Sequence, residues 1–179
     1  GSTQIITTPT PNGKNEVDCL IELKMRGYSL SGSSSTFHSI ELHANSINDN
    51  KIGSTSSWTG NGLRTIAGSI SGTDLNSNGN NFFISNLSSD NNSSPLIDFF
   101  TMKYGRKLVF NDKQLDFYSP VENTSLRFNF HDELPENVNI FDISNSRSPK
   151  RISIKDQIYI EVSSPTNKPG RYVVFNQND

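Results

Sequence analysis

Residues 17–26 read Val-Asp-Cys-Leu-Ile-Glu-Leu-Lys-Met-Arg, and the pattern of this stretch decides the fold class. Apolar side chains occupy every second position from Val17 to Met25, and charged side chains occupy most positions between them. Such alternation is typical of a strand with one buried face. Residues 38–44 alternate in the same way, with His38 on the apolar side and His43 on the polar side. We therefore predict that strands build the core.

Apolar runs recur along the chain between clusters of Ser, Asn, Asp and Gly, such as NSNGN at residues 76–80. Turn clusters at this regular spacing are typical of a sandwich or barrel. No stretch has the helical period that the crossovers of a parallel sheet require. We predict an all-β, antiparallel, jelly-roll-type β-sandwich. Its other strands are expected around Ile52 and at Leu63–Ile70, Asn81–Leu87, Leu96–Tyr104, Lys107–Tyr118 with a break at Asn111-Asp112, Leu126–Phe130, Val138–Ile143, Gln157–Val162 and Arg171–Phe175.

The predicted organisation has three parts. Residues 1–16 are rich in Thr, Pro, Asn and Gly without periodicity and are interpreted as a tag scar and linker, or as an edge segment. Residues 17–120 form the jelly-roll-like sandwich. Residues 121–179 supply further strands, either in the same domain or in a small β subdomain. The opening Gly1-Ser2 and the lack of an initiator Met indicate a fragment of a longer chain.

Composition excludes several classes of protein. The formal charge is −2, from 16 basic and 18 acidic residues, with no basic cluster to neutralise phosphates, so no nucleic-acid partner is expected. No apolar run is long enough to span a membrane, so no direct membrane insertion is expected. The single cysteine excludes an internal disulfide framework. The richness in Ser and Asn favours an extracellular, loop-rich β protein.

No catalytic constellation is predicted. Cys19 shares a strand face with four apolar residues, which favours a buried, inert thiol over a nucleophile. His38 and His43 point to opposite faces of one predicted strand, and His131 lies far along the chain, so they do not form a zinc site.

One segment resembles half of a calcium-binding loop. Residues 74–79 read Asp-Leu-Asn-Ser-Asn-Gly, which places oxygens of Asp74, Asn76 and Asn78 at alternate positions before a glycine. The twelfth position is Ser85, where such loops have a bidentate Glu. Calcium is therefore the one candidate cofactor, and an ordinary Asn/Gly turn is the alternative.

A candidate ligand site centres on Trp58, which lies in the polar sequence SSWTGNG. An exposed tryptophan ring can stack on a sugar, with Asn61, Arg64 and Glu41 supplying hydrogen bonds if the fold brings them together. This would make the domain a carbohydrate-binding module. The alternative is that Trp58 is a core or edge residue, as single tryptophans in β domains usually are.

Several segments carry family-like motifs. Residues 138–152 read VNIFDISNSRSPKRI, in which Phe-Asp-Ile at 141–143 precedes a proline at 149. Residues 96–108 read LIDFFTMKYGRKL and are followed by DKQLDF at 112–117. Residues 45–58 and 75–84 are similar to turns of the same family's sandwich. Together these segments resemble the N-terminal β-sandwich region of gingipain-like cysteine peptidases and PorU-type sortases of the type IX secretion system. In the second segment the matching positions are Asp98, Phe99, Phe100, Tyr104, Arg106 and Leu108.

The resemblance implies a place within a larger protein. In that family the β region precedes a peptidase domain that carries the catalytic His and Cys, and this chain has no counterpart of that domain. The resemblance therefore implies a non-catalytic accessory or interaction domain. Its expected partners are the rest of the parent chain, including the peptidase domain, and secretion-system components or a glycan. The expected location is extracellular or the outer-membrane surface of a bacterium.

Overall fold

A computed structural model describes residues 2–111, 114–121, 125–163 and 168–176. Over these ranges the chain is all-β, every pair of strands is antiparallel, and the one helical element is a short 3-10 helix at Gly72–Asp74. The predicted fold class is confirmed. The chain divides into two compact units, Gly1–Arg106 and Lys107–Asp179.

The first unit is a sandwich of two main sheets. Its strands are β1 (Thr3–Thr8), β2 (Cys19–Arg26), β3 (Phe37–His38), β4 (Ile40–Ala44), β5 (Lys51–Ser54), β6 (Trp58–Thr59), β7 (Leu63–Ile70), β8 (Asn80–Asn86) and β9 (Leu96–Lys103). One sheet has the order β1-β8-β4-β5, the other has the order β7-β2-β9, and β3 pairs with β6 separately. Apart from the β4–β5 hairpin, consecutive strands belong to different sheets, as in jelly-roll-type sandwiches.

Strand β2 follows the predicted alternation. Cys19, Ile21, Leu23 and Met25 are buried, and Leu20 is 57% exposed on the opposite face. Val17 departs from the prediction, since it precedes the strand and is 44% exposed. Apolar residues of β4, β7 and β8 face the same core, and the rings of Phe82 and Phe100 meet with centroids 4.8 Å apart.

Two glycines let β5 approach β7 closely at one side of this sandwich. A Cβ atom on Gly68 would lie 2.5 Å from the Ile52 carbonyl oxygen, and one on Gly53 would lie 2.8 Å from Ile66 Cγ2. Both distances are shorter than any side chain tolerates against such neighbours. The two sheets therefore meet at this side through bare backbone.

The segment expected to be a linker is part of the sheet. Thr3–Thr8 forms edge strand β1 and pairs with β8 over its whole length. The side chains of Thr3 and Ser85 form a hydrogen bond of 3.1 Å, and Thr7 donates to Asn81 over 2.8 Å. Of the two interpretations of this segment, the structure has the edge segment at Thr3–Thr8 and not the linker, and cross-strand partners rather than alternation set the register of this strand.

The strands of the second unit are β10 (Leu115–Tyr118), β11 (Ser125–Asn129), β12 (Val138–Asp142), β13 (Lys150–Ile152), β14 (Tyr159–Ser163) and β15 (Arg171–Asn176). They form a sheet of order β10-β15-β12-β13 and a ribbon of β11 and β14. The core of this unit is rich in aromatic rings. Phe117 stacks on Tyr172 at 5.2 Å and meets Phe128 and Phe130 edge-on.

The boundary between the units lies earlier than the boundary at residue 120 that the sequence suggested. Strand β10 pairs with β15, which puts Leu115–Tyr118 in the second unit. The predicted strand over Lys107–Tyr118 is shorter in the structure, since residues 107–111 form only an isolated bridge between Leu108 and Phe130. Asp112 and Lys113, which belong to the predicted break and to one family-like motif, lie outside the described residues.

The most family-like motif, residues 138–152, is the β12–β13 hairpin. Asp142 accepts a hydrogen bond from the Ser144 amide at 2.9 Å, and Asn145 accepts one from the Arg147 amide at 3.2 Å. Short polar side chains that cap their own turns explain why these residue types occur there. Within residues 138–152, Asp142 and Asn145 thus stabilise the turn, and the apolar residues Val138, Ile140 and Ile152 pack in the core of the second unit.

Candidate functional site

Trp58 does not present an exposed ring. Its side chain is 4% exposed and belongs to the core of the first unit, so the expectation of an exposed stacking platform is corrected. The reason is local, because β6 pairs with β3 and sets Trp58 opposite His38, with ring centroids 5.0 Å apart. The polar neighbours of Trp58 in the sequence lie in the turns on either side of β6, outside the core.

The buried imidazole of His38 is held by a polar network. Its Nδ1 lies 2.8 Å from Ser93 Oγ, and Asn86 Nδ2 donates to the same hydroxyl over 3.2 Å. The Ser93 hydroxyl also lies within hydrogen-bond distance of Asn86 Oδ1, at 3.4 Å, so Ser93 and Asn86 together hold the imidazole ring in place. Burial lowers the pKa of His38 below its ordinary value, the Gly60 carbonyl and Asp90 opposing this effect, so the neutral ring is favoured.

Two buried nitrogen atoms at this place have no hydrogen-bond partner among the described residues: His38 Nε2 and Trp58 Nε1. Gly27 packs directly against them. A Cβ atom on Gly27 would lie 2.8 Å from Trp58 Nε1 and 2.0 Å from the Gly60 carbonyl oxygen. Only a glycine fits at position 27, and the backbone of Gly27 and Gly60 closes this end of the core.

The four predicted ligand residues do not form one site. Arg64 lies over the Trp58 ring, with its guanidinium carbon 5.6 Å from the centroid. Asn61 is exposed in the turn after β6. Glu41 is separate, because it lies on the face of β4 opposite the buried Ile40 and Leu42, whereas Trp58 is in the core.

Glu41 instead belongs to an ion-pair cluster on the outer face of the sheet. Its carboxylate contacts Lys51 Nζ, and its second oxygen lies 3.1 Å from His43 Nε2, a contact too poorly aligned to count as a hydrogen bond. The Lys51 ammonium group and, to a smaller extent, the nearby His43 ring hold the pKa of Glu41 below its ordinary value. His43 Nδ1 donates to the Asp49 carbonyl over 2.9 Å. The cluster therefore ties the β4–β5 hairpin together.

The loop of the predicted calcium ligands is organised by Asn80, whose side chain is fully buried. Asn80 Oδ1 accepts from the Asn76 amide at 2.8 Å, and its Nδ2 donates to the Asn76 carbonyl at 2.8 Å. The Asp74 carbonyl accepts from Asn45 Nδ2. The side chains of Asp74, Asn76 and Asn78 remain exposed. The turn interpretation explains this geometry, and calcium binding stays a prediction.

Cys19 is fully buried in the first core, and burial raises the pKa of its thiol, which disfavours the reactive thiolate. Among the described residues, no three His, Cys, Asp or Glu side chains are grouped closely enough to hold a metal ion. In the same part of the chain, no helix has the length and apolar character needed to cross a membrane.

A depression of about 310 Å³ lies beside the Gly27–Gly60 contact, and sequence reasoning missed it. We call it the Tyr28 depression. It is lined by residues 27–29, 32–34 and 60–61. Only Asn61 was among the predicted ligand residues. The signal that could have revealed it is the stretch GYSLSGSSS at 27–35, where one tyrosine is surrounded by glycines and hydroxyls.

A larger depression of about 520 Å³ lies on the outer face of the β7-β2-β9 sheet. Its lining combines Leu20 and small residues of β7 with the charged side chains of Glu22 and Lys103. It contains no cluster of convergent polar groups, so its geometry does not define a ligand.

No protein-family model matches the chain, and no curated protein matches it. Among solved structures, the chain is similar to the crystal structure of dimeric latent PorU from Porphyromonas gingivalis, with a TM-score of 0.72 and 13% sequence identity. The similarity covers 99% of this chain and 18% of the PorU chain. This chain is thus matched by a minor part of a much longer protein. At this level of identity the likeness concerns the fold alone, and the fold of the chain is PorU-like.

Proposed function

We propose that this chain is a non-catalytic accessory domain of a secreted or outer-membrane-associated bacterial protein of the gingipain-like or PorU-like kind, linked to type IX secretion. The observation that carries the proposal is the PorU-like fold over 99% of the chain, matched by only 18% of the PorU chain. The motifs at residues 96–108 and 138–152 support the same assignment. In this role the domain positions a peptidase domain of the same protein or docks its neighbours.

The surroundings of Cys19, His38 and His43 support a non-catalytic role. Cys19 is buried, and its thiol makes a weak contact of 3.9 Å with the Leu20 carbonyl. His38 is bound to Ser93, and His43 to the Asp49 carbonyl. Nucleophilic catalysis needs a thiolate within hydrogen-bond reach of a base, which these contacts do not provide.

The catalytic part of the proposal is tested with the purified chain. We expect no hydrolysis of casein or of fluorogenic peptides ending in Arg or Lys, and no difference between the parent chain and Cys19→Ser. Hydrolysis that disappears in Cys19→Ser while circular dichroism stays unchanged would refute the non-catalytic role.

The scaffold part is tested on the native protein encoded by the full gene. Reading that gene should reveal a peptidase domain with a His and a Cys after this region. Cross-linking of the intact protein with a lysine-reactive reagent, followed by mass spectrometry, should link exposed lysines such as Lys14 and Lys103 to that domain. A gene without any such domain, or cross-links confined to this chain, would overturn the proposal.

A further inference from the structure

The Tyr28 depression is made of neutral hydrogen-bonding groups. Its lining contains three serines, one asparagine, one tyrosine and three glycines, and no charged side chain. A lining without charge offers no ion-pair partner for a phosphate, a carboxylate or an ammonium group, so it favours a neutral ligand. Its volume of about 310 Å³ is within the range of small-ligand sites.

Two of the glycines have conformations that keep the depression open. Gly32 has φ +73° and Gly60 has φ +70°. Both conformations are ones that residues with a Cβ atom rarely adopt, and Gly60 lies close to the Ser34 carbonyl. The backbone is therefore bare at two points of the lining, where a ligand can contact peptide groups directly.

Some polar groups in the lining are committed to the protein and others are not. Ser29 Oγ bonds to the hydroxyls of Thr36 and Ser31, and Ser33 Oγ bonds to Ser35. These bonds fix the shape of the loop at residues 29–36. Among the described residues, by contrast, the side chains of Tyr28, Ser34 and Asn61 have no hydrogen-bond partner within the protein. A ligand can thus use two hydroxyls and one amide without breaking an internal bond.

Tyr28 also supplies an aromatic ring. Its side chain is 48% exposed, whereas the Trp58 ring is buried. A half-exposed ring beside free hydroxyl and amide groups matches the chemistry of a sugar, whose C–H faces pack on aromatic rings while its hydroxyls donate and accept hydrogen bonds. We propose that the Tyr28 depression binds a neutral sugar unit, with Tyr28 as the stacking ring and Asn61 and Ser34 as hydrogen-bonding partners.

This inference does not rest on the proposed function, because it uses only the lining of the first unit. The test is a titration of the isotopically labelled chain followed by NMR. The probes are methyl α-D-mannopyranoside, methyl β-D-galactopyranoside and methyl β-D-glucopyranoside, each up to about 50 mM, which exceeds the millimolar dissociation constants expected of a shallow site. We expect at least one glycoside to shift amide signals of residues 27–34 and 59–62 selectively.

Matched variants identify the residues that bind. We expect Tyr28→Ala to weaken binding by about tenfold, which corresponds to the loss of one ring contact. Tyr118→Ala is the control, because Tyr118 is also exposed, at 59%, and lies in the second unit. Asn61→Ala should weaken binding as well, while Asn91→Ala, at another exposed asparagine, should not. Trp58 fluorescence checks that each variant keeps its fold.

Two further arms decide the source and the charge of the ligand. If a trisaccharide of the best-bound sugar binds more than about tenfold tighter than the single glycoside, the natural ligand is a polysaccharide. If the two bind with equal affinity, the ligand is one terminal sugar. Both results support the proposal. Glucuronate should bind no tighter than the neutral glucoside, and tighter binding would contradict the neutral site. The inference is overturned if none of the three glycosides shifts these amides, or if Tyr28→Ala binds like the parent chain.

Discussion

The two units bury their apolar side chains by different means. The first unit uses long strands, of eight residues in β2, β7 and β9, and most side chains buried in its core are aliphatic. The second unit uses strands of three to six residues, and three large rings, Phe117, Phe130 and Tyr172, supply much of its smaller core. Large rings let short strands enclose a core, because each ring buries more surface than an aliphatic side chain. The energy of the second core is therefore concentrated in fewer residues.

The sharpest test of this contrast is truncation of one central residue in each core. We expect Phe117→Ala to cost about 3–5 kcal/mol of unfolding free energy, because Phe117 contacts three other rings. Leu42→Ala in the first unit should cost about 2–5 kcal/mol, toward the lower end if neighbouring aliphatic groups relax into the cavity. Urea unfolding measures the change in unfolding free energy of each variant, and amide hydrogen exchange shows which strands lose protection.

In Phe117→Ala the loss of protection should be greatest in β10 and β15. The exposed Phe99, with 40% of its surface accessible, provides the control, since Phe99→Ala leaves no cavity. If Phe99→Ala costs as much as Phe117→Ala, ring burial is not what holds the second unit together.

The next largest effect is expected at the Gly27 contact. Gly27→Ala places a methyl group 2.0 Å from the Gly60 carbonyl oxygen, so backbone must move, at a cost of about 1–3 kcal/mol or more. Gly32→Ala is the matched control, because nothing lies within 4 Å of its added methyl group and its cost, roughly 1–2 kcal/mol, comes from φ +73° alone.

The fluorescence of Trp58, the single tryptophan, separates the two glycine variants. We expect the emission of Gly27→Ala to shift and that of Gly32→Ala to stay unchanged. Equal spectra for the two variants would show that Gly27 does not pack against the indole.

A smaller effect is expected from pH, and it arises in the first unit. Burial holds the pKa of His38 below its ordinary value of 6.5. As the pH falls below 6.5, His38 is therefore protonated in the unfolded chain before it is protonated in the folded chain. The stabilising contribution is complete above pH 6.5 and is lost progressively toward the lower pKa of the folded state. Unfolding free energy should thus decrease between about pH 7.5 and 5, and less so in His38→Gln.

The lowered pKa values of Glu41 and Asp90 act at lower pH, near and below the ordinary values of 4.5 and 3.8. Their titration therefore does not affect the comparison of the parent chain with His38→Gln above pH 5. If His38→Gln has the same pH dependence as the parent chain, the buried ring is not its source.

The smallest effect is expected at the exposed ion pair of the second unit. Lys155 and Glu161 are each about half exposed, and their contact is screened by water and salt. Glu161→Gln should leave the urea midpoint almost unchanged. Glu41→Gln in the first unit should lower it measurably, because the Glu41 carboxylate is 22% exposed and joins both Lys51 and His43. Equal shifts would mean that partial burial adds nothing to the Glu41 cluster.

Alternation along a strand predicted much of this fold. Cys19–Arg26 and Leu63–Ile70 lie close to their predicted positions, since one face of each strand is buried and the pattern records it. Lys150–Ile152 was missed, because a strand of three residues is too short to show a period, and its pairing with β12 is a property of the fold. Thr3–Thr8 was not predicted as a strand, because this edge strand has no fully buried face and its sequence shows no alternation.

The candidate site was less predictable than the fold. Trp58 was expected to be exposed because its neighbours in sequence are polar, yet the pairing of β6 with β3 turns the ring inward. Asn61 and Tyr28 are 33 positions apart in the sequence and meet only because the turn after β6 returns beside the end of β2. Two loops that are distant in the sequence leave no local pattern when they meet, so the Tyr28 depression could not be predicted from a single sequence.

The buried amide of Asn80 has a practical consequence for anyone who shortens this chain. Its Nδ2 donates to Thr10 Oγ1 at 3.1 Å and lies 3.4 Å from the Thr8 carbonyl, so the N-terminal segment supplies partners to a group shut away from water. An expression boundary at Val17, where the alternation begins, would remove both partners along with β1. It would also bare the edge of β8 to other molecules. A recombinant fragment meant for crystallisation or NMR should begin before Thr3.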